Sequence, residues 1–187
     1  GGNFEGRSIL NRRRAVEEVA GEQGASPENL RTRLDECREK LLAARSHRVR
    51  PGRDDKVLVS WNGLMIAALA RGAAVLDDPD YTLAAKKAAE FIWNNLRDKE
   101  GRLLKRFRQG EAGLPAHLDD YAFLAEGLLS LYQSTFNERW FLWAQELVDV
   151  MLDHFRDEEN GGFFDTSDDH EVLIHRPKDL QDNAIPS

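Results

Sequence analysis

The stretch SWNGLMIAALARGAAVL, from Ser60 to Leu76, decides the fold. It carries one charge, Arg71, and apolar residues at every helical angle: Trp61, Leu64, Met65, Ile66, Leu69 and Val75, spaced by alanines. A helix that is apolar all round is buried all round. Asp78-Pro79-Asp80 ends it, and the segment from Tyr81 to Leu96 reads differently. There Tyr81, Ala84, Ala85, Ala88, Ile92 and Leu96 make one apolar stripe, while Lys86, Lys87 and Glu90 face outward. The pattern predicts a buried helix paired with a half-exposed one.

Working outward, the pair recurs. Leu118 to Thr135 is again almost wholly apolar, and Glu126 is its one charge beyond the first turn. Asn137 then caps a second amphipathic helix carrying Trp140, Trp143, Ala144, Leu147, Val148, Met151 and Phe155, with Glu146 on its outer side. Each pair closes on a similar turn, Asp98-Lys99-Glu100-Gly101 and Asp157-Glu158-Glu159-Asn160-Gly161-Gly162. The offset is 59 residues from Asp98 to Asp157 and 58 from Asn62 to Asp120. This is an internal repeat, and a repeat governs architecture. An open solenoid and a closed α/α toroid both stack such hairpins. A solenoid unit is usually about 34 to 47 residues, so the longer unit favours the toroid, whose ring hides its inner helices. The expected fold is all-α, with repeated helical hairpins forming part of a six-hairpin α/α toroid, incomplete in this chain. Leu64, Ile66, Leu69, Leu124 and Leu128 are expected in the core, with Lys86, Lys87 and Glu146 outside.

Before the repeat, Ser26-Pro27-Glu28 is a helix start, followed by Leu30, Leu34, Cys37, Leu41 and Leu42 at helical spacing. The sequence divides into an N-terminal extension and linker, 1–25, and the partial toroid, 26–187. Cys37 is the one cysteine, so no internal disulfide and no Cys-x-x-Cys pair exist; it reads as a small packed apolar residue in a reducing, cytoplasmic setting. No uninterrupted apolar run of 18 residues and no signal peptide are read, so no membrane partner is expected. Residues 1–56 hold 13 of the 26 basic and 10 of the 33 acidic side chains, leaving 13 and 23 in the remainder. An acidic body argues against a nucleic-acid partner.

The inner helices of such a ring run parallel, so their starts gather at one mouth. Those starts are Trp61-Asn62, Asp119-Asp120-Tyr121 and Asp182-Asn183, and the connections into them bring His117, His175, Arg176, Lys178 and Asp179. A concave mouth lined this way is a candidate small-molecule site. Asp119 or Asp120, Asp179 and Asp182 are the candidates for proton transfer; a glycosidase needs two carboxylates roughly 5 to 10 Å apart. Trp61 and Tyr121 are candidates for stacking on a sugar ring. Asn62, His117, Arg176, Lys178 and Asn183 are candidates for ligand hydrogen bonds. Asx residues at helix starts are also caps, and neighbours on a helix differ by about 100°, so only one of Asp119 and Asp120 can face a cavity. Two loop histidines without a third ligand predict no metal site, and no cofactor motif is present.

Three ordered motifs resemble a known family: Asp54-Asp55-Lys56-Val57-Leu58 with Ser60–Ile66, His117–Leu124, and Arg176-Pro177-Lys178-Asp179 with Asp182–Ser187. The chain is similar to thioredoxin-domain-containing proteins related to spermatogenesis-associated protein, and Asn3-Phe4-Glu5-Gly6 fits as well. The resemblance implies a thioredoxin-like domain followed by a six-hairpin toroid similar to N-acylglucosamine 2-epimerases and related glycosidases. Two functions are then open. The toroid region is a scaffold for a ligand or a client of the parent chain's thioredoxin-like domain, or it is a sugar-active isomerase or hydrolase region, inactive as this fragment. Self-association of the fragment through its open edges is expected.

Overall fold

A computed structural model of the chain describes every residue except 1, 3, 7, 8, 172, 180 and 182–187. It forms two compact units, Gly1–Arg53 and Asp54–Ser187. In the first, α1 (Val16–Glu22) packs on α2 (Pro27–Ser46). Ser26 caps α2, its Oγ accepting from the Asn29 N–H at 3.2 Å, and Pro27 opens the helix. The sequence reading joined α2 to the hairpins; in the structure it groups with the N-terminal segment, where it packs on the 7-residue α1. So short a partner leaves no residue of α2 buried, and Cys37 is exposed rather than packed.

The second unit holds both predicted hairpins, α3 (Val59–Leu76) with α4 (Pro79–Asn95), and α5 (Leu118–Thr135) with α6 (Glu138–His154). The inner helices α3 and α5 pack most extensively, and α4 and α6 cover them from outside. Ile66, Leu124, Leu128 and Leu131 meet Ala85, Ile92, Trp140 and Leu147 in one core. Two glycines set how closely the inner helices approach. A Cβ on Gly63 would stand 2.5 Å from the Phe123 carbonyl carbon, and one on Gly127 would stand 2.7 Å from the Gly63 carbonyl oxygen. The outer helices are joined by a flat stack of Trp93 on Trp143 at 4.2 Å, with Arg97 over Trp93 and Arg139 over Trp140. Arg97 also pairs with Glu146, and Arg139 with Glu90.

The repeat extends to the turns. Asp98 Oδ1 accepts from the N–H groups of Glu100 and Arg102, and Asp157 Oδ1 from those of Glu159 and Asn160. Gly101 and Gly161 follow at φ +85° and +74°, where a side chain is strained.

The connection after α4 is a short hairpin, which with the lead into α3 makes a small antiparallel sheet in a mostly helical fold, in order β1 (Val57–Leu58), β2 (Leu104–Arg108), β3 (Glu111–Pro115). Gln109 and Gly110 both have positive φ, the twist a two-residue hairpin loop requires. One expectation is corrected: α3 is not buried all round. Ile66 is buried, but Leu64 and Leu69 are half-buried; Lys86, too, is half-buried rather than exposed. Trp61, Met65 and Val75 are 60%, 57% and 82% exposed. The composition of α3 matches a helix enclosed on every side, but the described residues supply neighbours on one side of it. By length and composition it also meets the measure of a membrane crossing, as core helices often do; its buried face packs on α5, and Arg71 pairs with Glu126.

Candidate functional site

The site begins with an uncapped helix. Leu58, at the N-cap of α3, offers no side-chain oxygen, and Asn62 turns its Nδ2 back to the Leu58 carbonyl at 2.7 Å. The missing acceptor comes from 60 residues away: Asp120 Oδ1 accepts from the Ser60 N–H at 2.9 Å. Its other oxygen accepts from the His117 N–H at 3.0 Å, the reciprocal half of a capping box on α5. One carboxylate thus ties the starts of both inner helices. Asp120 has no exposed surface, and burial raises its pKa; the His117 and Ser60 hydrogen bonds oppose that, and the Asp119 charge adds to it.

Around this tie the predicted residues divide by what they touch. Asp119 is half-buried and accepts from the Asp120 N–H at 2.9 Å. His117 is half-buried, and burial together with the Lys105 ammonium lowers its pKa. Its Nδ1 therefore accepts from Lys105 Nζ at 3.0 Å, as a neutral ring does. The ring lies edge-on to His170, centroids 6.1 Å apart. Tyr121 is buried against Phe155 and is not open to a stacking ligand; its hydroxyl accepts from the Leu103 N–H at 2.9 Å. Trp61, on the first turn of α3, remains largely exposed.

The second connection is held internally. Arg176 donates to the carbonyls of His154 and Thr166 and lies over Phe164. Lys178 Nζ donates to Asp157 Oδ2 at 2.6 Å and to the Gly161 carbonyl at 2.7 Å. Asp179 is exposed, its carboxylate accepting from the Gln181 N–H. Asp182 and Asn183 lie outside the described residues.

A cleft of about 310 Å³ separates the two connections, lined among others by Glu100, Arg102, Tyr121, Asp169 and His170. Arg102 spans it with two bonds to Asp169, at 2.9 and 3.2 Å. His154 Nδ1 lies 2.8 Å from Asp168, so His154, Asp168 and Asp169 offer three ligand atoms within 4.8 Å of one another. A cation there would compete with the Arg102 guanidinium for both Asp169 oxygens, which makes the cluster a poor metal seat. The Arg102 hydrogen bonds, foremost among the causes, hold the Asp169 pKa at about 2. A depressed carboxylate supports the fold above its ordinary value and stops doing so as pH falls through its folded value. Acid titration is therefore expected to weaken the fold between pH about 4 and about 2. Asp169→Asn should flatten that limb, read by circular dichroism against pH.

Asn62 and Asp120 do come to the same end of the helical layer, as the repeat predicts, but they spend their polar atoms on helix starts. Sequence reasoning missed Ser60, Arg102, Lys105 and His170. Arg102 was the most accessible of these, since it follows the Asp98 turn directly.

No protein-family model matches the chain. Along its whole length the chain is homologous to spermatogenesis-associated protein 20, 36% identical over 196 residues to the human protein and 33% to that of Rattus norvegicus. It spans about a quarter of the length of these curated relatives (25% of each). An uncharacterised protein of Caenorhabditis elegans is 31% identical over 194 residues. Among solved structures it is similar to cellobiose 2-epimerase from Spirochaeta thermophila, with TM-score 0.56 and 17% identity over 66% of this chain and 32% of that one. A D-mannose isomerase gives TM-score 0.54 and 17% identity over 58% and 30%. At that identity the likeness shows the fold alone, which is the α/α toroid, present here in part.

Proposed function

We propose, from homology with one quarter of spermatogenesis-associated protein 20, that this chain is one wall of a ligand-binding α/α toroid in a larger protein. Trp61, Asp119 and the Lys105–His117 pair stand at the ligand side. The observation that carries the reading is the Asp120 tie, which sets two inner-helix starts side by side and leaves Trp61 uncovered next to them. Asp120 is consumed by that tie, so within the described residues the wall binds and orients rather than supplying an acid/base carboxylate pair. Arg176 and Lys178 shape the second connection. In the parent protein the toroid presents its ligand or client to a thioredoxin-like domain. Thermal shift of the full-length protein against D-mannose, D-glucose and cellobiose tests this. A shift of a few degrees that Trp61→Ala removes is expected, and no shift with any of them counts against a sugar-type ligand.

A second reading has a specific support. Two of the solved structures that share the fold are a sugar 2-epimerase and a sugar isomerase, and His117, its pKa lowered by burial and by Lys105, has the His170 ring edge-on to it. A neutral ring of that kind is suited to take a proton from a carbon next to a carbonyl. Incubating the full-length protein with D-mannose in deuterated water separates the two readings. Deuterium appearing at C2, and lost in His117→Ala, favours catalysis; its absence alongside binding favours the scaffold.

The isolated chain is expected to self-associate, because the uncovered side of α3 is a continuous apolar patch. Sedimentation velocity should show concentration-dependent association that Met65→Lys abolishes.

A further inference from the structure

Among the described residues Lys105 is the one lysine whose head meets an imidazole. It lies on β2, half-buried, and its Nζ stands 3.0 Å from His117 Nδ1. No carboxylate pairs with it among the described residues, whereas Lys56 pairs with Asp54 and Lys178 with Asp157. Lys87 and Lys99, by contrast, are exposed. Burial, aided by the Lys105 ammonium, holds the His117 ring neutral at rest, and the Asp119 and Asp120 charges act on the same ring in the opposite sense. An imidazole fixed against an amine in this way is a base for the ammonium proton and, once protonated, an acid.

We infer that Lys105 is a nucleophile that captures small hydroxyaldehydes as a reversible imine, with His117 carrying the protons. The inference rests on the ligand side proposed above for its position, but not on a cyclic sugar as the ligand. The steps balance. The Lys105 ammonium passes a proton to His117 Nδ1, and the freed lone pair on Nζ attacks the carbonyl carbon. The electron pair of the C=O bond moves to oxygen, which takes a proton from the nitrogen and gives a carbinolamine. The His117 imidazolium protonates that hydroxyl, water leaves, and the nitrogen lone pair closes the C=N bond. Nothing is oxidised or reduced, and His117 ends neutral, as it began. Loss of water is the slow step near neutral pH, and an exposed lysine must take its acid from solvent, whereas Lys105 has one in contact. The Asp119 and Asp120 charges favour the imidazolium that forms in passing. The protonated imine keeps one positive charge where the ammonium stood, so the charge balance of the site is unchanged.

Reductive trapping tests this. Full-length protein is treated with dilute glycolaldehyde and cyanoborohydride, which reduces the imine to a stable amine, and peptide mass spectrometry gives the labelling rate at each lysine. Lys105 is expected to label at least about tenfold faster than the exposed Lys87 and Lys99. The advantage should vanish in guanidinium chloride. It should also be lost in His117→Gln, whose side chain accepts a hydrogen bond but carries no proton. Circular dichroism checks that this variant is folded; if it is not, the comparison of native with denatured wild type decides. Labelling of Lys105 no faster than that of Lys87, or an advantage that survives denaturation or the folded His117→Gln variant, overturns the inference. The thermal-shift test of the binding site fails separately. Preferential labelling without a shift by any sugar leaves the imine standing and removes sugars as ligands; a sugar shift with ordinary labelling at Lys105 removes the imine alone.

Discussion

Gly63→Ala is expected to destabilise the protein by about 1 to 3 kcal/mol, although alanine is the better helix former. The two effects have opposite signs, so the outcome separates them. Helix propensity alone would stabilise the variant by roughly 0.5 to 1 kcal/mol. The added Cβ, however, would stand 2.5 Å from the Phe123 carbonyl carbon and 2.6 Å from the Leu124 nitrogen. Those are backbone atoms of a buried helix and cannot swing aside, so α3 and α5 must part and lose contacts along the inner layer. Gly72→Ala, on the same helix, is the control. Its Cβ would meet the Tyr81 ring at 3.7 Å, an ordinary contact, and the propensity gain should survive. Urea unfolding of the two variants should move the midpoint in opposite directions. A gain in both would mean that the close approach of the inner helices is absent in solution.

Asp120→Ala is expected to remove about 2 to 4 kcal/mol, because two N–H donors at the joined helix starts lose their acceptor and each unmet donor costs about 1 to 3 kcal/mol. Relief of burying a charge offsets part of that sum. Asp120→Asn separates capping from charge: an amide has one oxygen for two donors, so it should recover part of the loss. The variants also differ in pH dependence. Burial raises the folded pKa of Asp120, so its contribution is greatest in the protonated form, below the ordinary value of 3.8, and declines as pH rises through the raised value. Wild type should therefore gain on Asp120→Asn as pH falls toward about 4. Parallel stability curves for the two proteins would show that the carboxylate is solvated and the tie between the helices is loose.

The hairpins were legible because their signal is local. Alternating coverage of paired helices, Asn137 at a cap and the repeated Asp98 and Asp157 turns each lie within one helix or turn. What failed depends on partners. The apolar residues of α3 could be counted, but not which of its faces finds a neighbour among the described residues, and so Leu64, Leu69 and Met65 were misplaced. The strands of the short hairpin were less legible, because Lys105-Arg106-Phe107-Arg108 reads as polar, although Gln109-Gly110 marks its turn. At the site, the sequence showed that Asp119 and Asp120 could not both face a cavity. Which one turned inward was fixed by the Ser60 N–H, far off in the chain.

That long reach has a consequence during synthesis. The bond from Ser60 to Asp120 joins residues 60 apart, so α3 leaves the ribosome long before the side chain that caps it exists. At about 5 to 20 residues per second the interval is roughly 3 to 12 s, during which α3 has neither its cap nor the α5 face it packs on. A nascent chain paused after the first hairpin should accordingly present α3 to holding chaperones. The same chain extended past Leu131 should release them, so that vectorial folding of this unit proceeds by pairs of hairpins rather than one at a time.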